Sequence, residues 1–188
     1  WGGSLLQPHQ TAGPTDAHYS SAGPLHRRKL RDFVHPNCIS VGPHGAWVTS
    51  FHGHEIIDIH AGKAVVTGLP GWPHDGAVRD DGQLWLTCTS GLVLSFQSTA
   101  QGWIPSGQWD TFASTGHSGW CRGLVVTPEV LVVGLTRIKE CPRERWCGRP
   151  FADTETSILA VDRAAGTVSA RVDLSGFGAH PKVFSILP

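Results

Sequence analysis

The stretch from His74 to Cys88 constrains this chain more than any other, because it reads as two short strands about a turn and then recurs. Ala77 and Val78 begin an apolar run, Asp80-Asp81-Gly82 supplies turn chemistry, and Leu84 to Cys88 is the β-rich return. Upstream, His35-Pro36-Asn37-Cys38-Ile39-Ser40-Val41 leads through Gly42-Pro43-His44-Gly45 into Ala46-Trp47-Val48-Thr49-Ser50. Downstream, Cys121-Arg122-Gly123-Leu124-Val125-Val126 leads through Thr127-Pro128-Glu129 into Val130 to Gly134. A fourth opening, His180-Pro181-Lys182-Val183-Phe184-Ser185-Ile186, repeats the His-Pro of the first. The openings stand roughly 40 to 60 residues apart, a spacing that calls for a repeat of supersecondary units.

Each unit resolves into strands. After Ala46 to Phe51 come Glu55 to Ile59 and Ala64 to Thr67, separated by His52-Gly53-His54 and Ala61-Gly62-Lys63. The second unit continues through Leu92 to Phe96 and an outer strand around Gln101 to Trp109. The third resumes, after a charged insertion between Leu135 and Thr156, as Ser157 to Asp162 and Thr167 to Leu174. A charged loop of that length inside a compact repeat is expected to be functional or mobile. Four antiparallel strands in a unit of about 40 residues make one blade of a β-propeller. The expected fold is therefore all-β: about three four-stranded blades plus the first strand of a fourth, a partial ring or a fragment of a six- or seven-bladed propeller. The blades fall at 35–73, 74–120 and 121–179, with 180–188 starting a further one. Residues 1–34, rich in Gly, Pro, Ser, Thr and His, are expected to be an arm or the remnant of a preceding blade.

Three blades are too few to close a ring, for which four is about the lower limit. The chain has no Met and opens on Trp1-Gly2-Gly3, so it is expected to be processed or to be a piece of something longer, with missing blades supplied by that longer chain or by a second copy. Open flanks would otherwise make the chain self-associate. Leu5-Leu6 and Leu30 to Val34 are the apolar material that residues 1–34 offer for covering them.

With 15 basic and 15 acidic residues the formal charge is zero, and no basic stripe interleaved with aromatics suggests a nucleic-acid partner. The run Arg27-Arg28-Lys29 reads as a solvated turn. No apolar stretch approaches the roughly 20 residues that span a bilayer, and no charged-then-apolar leader opens the chain, which leaves a cytoplasmic location as the default expectation. The odd cysteine count, Cys38, Cys88, Cys121, Cys141 and Cys147, does not spell a disulfide framework.

Aligning the openings places His35, His74, Cys121 and His180 just before successive inner strands, where a closed ring would turn them to the central channel. Imidazoles and a thiolate converging there are ligands for Zn, Fe or Cu, against the plainer reading that each hydrogen-bonds a neighbouring loop. A Ca²⁺ ion held by oxygens from Asn37, Asp75, Glu55 or Asp80 is a rival, although Asp80 and Asp81 suit turn formation better. Arg122 replaces Asp75 in its blade and is a natural clamp for an anion, unless it simply pairs with a neighbouring carboxylate. Arg122, Asp75 and Asn37 are thus the expected ligand-binding residues. Trp47 and Trp85 are expected in the inter-blade core, and Trp72, Trp103, Trp109 and Trp120 near loops. No nucleophile elbow, phosphate loop or dinucleotide fingerprint is present.

Through His35-Pro36-Asn37-Cys38, through Arg122-Gly123-Leu124 followed by Val133-Gly134-Leu135-Thr136-Arg137, and through the terminal Val183 to Pro188, residues 30 to 188 resemble an uncharacterised family of bacterial β-propeller proteins, known as hypothetical proteins. That resemblance implies a six- or seven-bladed ring. A looser likeness is to six-bladed propellers of the lactonase and strictosidine-synthase type, which place polar strand-opening residues around a divalent cation. It is a likeness of architecture.

Two functions are compatible with these residues. One is a binding or scaffolding propeller that recognises a small polar ligand, a glycan or a protein at its channel mouth. The alternative is a metal-dependent hydrolase, lyase or oxygenase with His35, His74, Cys121 and His180 as ligands.

Overall fold

The computed structural model describes residues 35–79, 81–113, 115–139, 143–178 and 180–187. The expectations for residues 1–34, Asp80 and Cys141 lie outside them. Twelve strands fall into three antiparallel sheets of four, each in sequence order. The first holds β1 (Pro36–Gly42), β2 (Gly45–Ser50), β3 (Glu55–Asp58) and β4 (Lys63–Val66). The second holds β5 (Pro73–Val78), β6 (Gln83–Cys88), β7 (Leu92–Thr99) and β8 (Gly102–Asp110). The third holds β9 (Trp120–Val126), β10 (Val130–Thr136), β11 (Ser157–Asp162) and β12 (Val168–Asp173).

Local chemistry sets the turns. Gly42 pairs with Gly45 around Pro43-His44. Asp81 Oδ1 accepts from Gln83 N while Gly82, at φ 78°, takes the left-handed position that closes the β5–β6 turn. Asp162 Oδ1 accepts from Ala164 N and Ala165 N at the β11–β12 turn.

Alternation decides which blade each side chain meets. Along β6, Leu84, Leu86 and Cys88 pack toward the first sheet with Trp47, Ile56, Leu94 and Phe96, whereas Trp85 points the other way into a core with Leu131, Val133 and Leu159 of the third. A middle strand is therefore buried on both faces, and Leu84 to Cys88 reads as an apolar run interrupted only by Thr87 for that reason. The outer strands β8 and β12 are mostly exposed. β1 lies beside β5 and β5 beside β9, and further out β4 touches β8, so the three sheets fan about the inner strands as propeller blades do.

Side chains on the inner strands tie neighbouring blades. Asn37 Nδ2 donates to Pro73 O at 3.2 Å, Thr49 Oγ1 donates to His74 O at 2.9 Å, and Asp75 Oδ2 accepts from Gly123 N at 2.7 Å. Ser40 faces the second blade, where a Cβ on Gly76 would stand 2.8 Å from its hydroxyl. By alternation Ile39 and Val41 turn to the opposite flank, and both are largely exposed.

The fourth opening differs from its expectation. Residues 180–187 form no strand, yet they occupy the place beside β9 and β10 that an inner strand would take. Val183 N donates to Thr136 Oγ1 and Thr136 Oγ1 donates to Val183 O, both at 3.0 Å, while Thr156 Oγ1 donates to Pro181 O. An inner strand takes its backbone ladder from the second strand of its own blade. The side-chain bonds recorded for residues 180–187 run to the third blade.

The insertion contains the single turn α1 (Glu144–Cys147), closed by Gly148 at φ 70°, whose N–H donates to Glu144 O. Thr89 Oγ1 donates to Trp146 O at 2.6 Å, and Ile138 and Cys147 enter the core, which fastens the insertion across the second and third blades.

Candidate functional site

The inner strands begin, and the second strands end, on one face of the arc. That face is the mouth. Phe51 follows β2, Trp72 precedes β5, Trp120 opens β9 and Trp146 comes from α1, so three blade ends and the insertion deliver aromatic rings to one place. Phe51 stacks on Trp120 at 6.2 Å and meets Trp146 edge-on at 5.4 Å, and His74 meets Trp120 edge-on at 6.2 Å.

Charge sits on this aromatic wall. The guanidinium of Arg122 lies 5.2 Å from the Trp120 ring centre and 5.6 Å from that of Phe184, and the guanidinium of Arg143 lies 5.7 Å from Trp120. Burial holds the Arg122 guanidinium below its usual value; the Asp75 carboxylate opposes that effect and the positive charge of Arg143 adds to it. Asp75 itself is committed, since its Oδ2 accepts from both His74 Nδ1 at 2.8 Å and Gly123 N. Two buried donors here, Arg122 Nε and Trp120 Nε1, have no acceptor among the described residues.

Of the expected ligand-binding residues, Asn37 and Asp75 serve as inter-blade ties, and Arg122 alone stands with an uncommitted polar edge. The alignment behind the expected metal ligands needs correction. Pro36 pairs with Ser50 and Pro73 with Cys88, each followed by a bulge opposite Thr49 or Thr87, so His74 matches Asn37 and not His35. His35 stands one residue before β1 at φ 46° and packs on Phe51 and His52. Cys121 is fully buried in the apolar core, and His180 is exposed at the edge of a separate cleft. Among the described residues no three His, Cys, Asp or Glu side chains are grouped so as to hold a metal ion. Glu55 is buried beneath the β2–β3 turn.

Sequence reasoning missed Arg143 and Trp146, both on the insertion. A one-turn helix shows no periodicity, and the only available signal was an indole within a highly charged loop.

Cys38, Cys88, Cys121 and Cys147 are free thiols. Burial pushes Cys88 up to about 12 and Cys147 up to about 11, the latter against the favourable charge of Arg149. Burial also lifts Cys121 well above 9.0, helped by Cys88, Asp75 and Cys147. Folded thiols with raised values bind protons more tightly than unfolded ones. Their contribution is complete below the unfolded value of 9.0 and is lost as pH climbs toward 11 to 12. The expected slope is about 1.4 kcal/mol per pH unit for each thiol that titrates on unfolding. Urea unfolding from pH 8 to 10.5 should show this decline, and Cys121→Ala should flatten it; an unchanged slope in that variant would contradict the burial.

Among solved structures the chain is similar to Kuenenia stuttgartiensis hydrazine synthase, at 16% identity over 74% of this chain and 37% of that one, with TM-score 0.50. It is also similar to streptogramin B lyase, at 14% identity, 74% and 40% coverage and TM-score 0.48. A third is the Myceliophteria thermophila Cps50 (Swd1) β-propeller domain, at 8% identity, 74% and 43% coverage and TM-score 0.47. The chain thus spans less than half the length of these structures, and at such identities the likeness concerns fold alone. No family model matches the chain, and no curated protein does. No helix among the described residues is long and apolar enough to cross a membrane. Three four-stranded antiparallel sheets fanned about adjacent inner strands make this chain a partial β-propeller.

Proposed function

We propose that the chain is a binding module whose mouth recognises a small ligand bearing an anionic or strongly polar group. The observation that carries this reading is the pair of orphaned donors, Arg122 Nε and Trp120 Nε1, beneath a wall where two guanidiniums share one indole and no carboxylate pairs with either among the described residues. An acceptor-rich group there would satisfy buried donors that otherwise cost about 1 to 3 kcal/mol each. The surrounding rings would hold a planar or apolar body.

Benzoate against its neutral isostere benzamide is the first probe, followed by Trp fluorescence and calorimetry. Benzoate is expected to bind more tightly, and Arg122→Gln to weaken it roughly tenfold or more, with Arg122→Lys intermediate because a lysine cannot offer the planar fork. Equal binding of the two probes, or benzoate binding indifferent to Arg122→Gln, would contradict the reading. The same reading includes self-association of the isolated chain at micromolar concentration through exposed Ile39 and Val41 on one flank and Phe184 and Leu187 on the other. A concentration-independent monomer in sedimentation velocity would remove that part.

A further inference from the structure

We propose that a second site, separate from the mouth, binds a small organic phosphate in the cleft between the β10–β11 insertion and residues 180–182. The cleft has a volume of about 460 Å³, within the usual size of a small-molecule site.

Its two walls are hung from the same hydroxyls. Thr156 Oγ1 accepts from Arg137 N and donates to Pro181 O, both at 3.0 Å, so one side chain sets the distance between the walls. On the first wall Ile138 is buried, its N–H donating to Thr154 Oγ1, and the alternation leaves its neighbours Arg137 and Lys139 exposed together on the cleft side. On the second wall Val183 is buried against Thr136, and Lys182 before it is exposed at the cleft. Three permanent cations are thereby brought to one concavity by backbone anchors, not by chance placement of long side chains.

The carboxylates at the rim do not neutralise them. Glu155 accepts from Arg171 Nε at 2.8 Å and Arg171 Nη2 at 2.9 Å, and also pairs with His117. Burial raises the Glu155 carboxyl, but the hydrogen bonds from Arg171 and the charges of His117 and Arg171 outweigh it and hold the group below its usual value. Asp173 lies 3.4 Å from Arg171 Nη2 and accepts from Ser175 N. Arg137, Lys139 and Lys182 consequently have no ion pair among the described residues. Three cationic side chains lining one cleft suit the three terminal oxygens of a phosphate monoester better than the two of a carboxylate. Half-exposed Phe151 and Pro181 offer an apolar surface for the rest of the molecule.

Calorimetric titration of the full chain with phenyl phosphate, phenol and benzoate at low salt tests the site. Phenyl phosphate is expected to bind at least tenfold more tightly than phenol, and to lose roughly tenfold in affinity in Arg137→Gln/Lys182→Gln. Arg122→Gln should remove only what phenyl phosphate binds at the mouth and leave the binding event at this cleft in place, which separates the two sites. The charge-reversed Arg137→Glu/Lys182→Glu should abolish binding with an unaltered thermal unfolding transition. The proposal is overturned if phenol binds as well as phenyl phosphate, or if Arg122→Gln weakens phenyl phosphate while Arg137→Gln/Lys182→Gln does not.

Discussion

Gly134→Ala is expected to destabilise the chain by about 2 to 3 kcal/mol, the upper part of the range for overpacking a filled interior. The added methyl would stand 2.7 Å from the carbonyl oxygen of Arg122, which is backbone and cannot swing aside, and 2.3 Å from Cγ1 of Val183. Both neighbours matter for function, since one carries the mouth guanidinium and the other anchors residues 180–187. The loss should appear as a lower urea midpoint with little change in slope. Val183→Ala in the Gly134→Ala background should recover part of it by removing the softer clash, a coupling that a double-mutant cycle reads directly. A stability change below about 0.5 kcal/mol for Gly134→Ala would mean that residues 180–187 do not pack where the structure places them.

Trp85→Ala should cost more, about 3 to 5 kcal/mol, as large-to-small changes at buried indoles do. Trp85 is 1% exposed, its ring lies 4.9 Å from that of Trp109, and the Arg163 guanidinium sits 4.7 Å above it. Its Nε1 donates to Gln83 Oε1 at 3.1 Å, so the indole N–H is satisfied in the wild type. Because Trp85 joins the second blade to the third, its removal should loosen the mouth as well as lower the urea midpoint. Trp103→Ala, at an only partly buried ring on the outer strand of the second blade, should cost distinctly less. Equal costs would show that the depth of burial of the ring does not set the cost.

The blades were legible because a middle strand buried on both faces, such as Leu84 to Cys88, leaves an apolar run that turn residues bracket on either side. Asp81-Gly82 announced its turn for a local reason, a short carboxylate meeting a nearby backbone N–H group. The register of the openings was not legible. His35-Pro36 and Pro73-His74 look alike in letters, but proline is the shared position, and the bulge after it hides which residues correspond. Arg122 was read as the counterpart of Asp75, but the pairing of β9 with β10 puts it in register with His74. Its setting was not visible, since Arg143 and Phe184 come from segments distant in sequence. The cleft was hidden for the same reason: Thr156, a residue with no motif around it, joins Arg137 N to Pro181 O across segments distant in sequence.

Everything proposed for the mouth and the cleft depends on a three-bladed arc with residues 181–187 in the inner place of a fourth blade. Native-state hydrogen exchange of the backbone amides tests that arrangement most directly. The arc predicts the slowest exchange in β6, β7, β10 and β11, faster exchange in the outer strands β8 and β12, and a protected amide at Val183, whose N–H donates to buried Thr136 Oγ1. Exchange of Val183 at the rate of an unstructured peptide, or protection of β8 equal to that of β6, would contradict it.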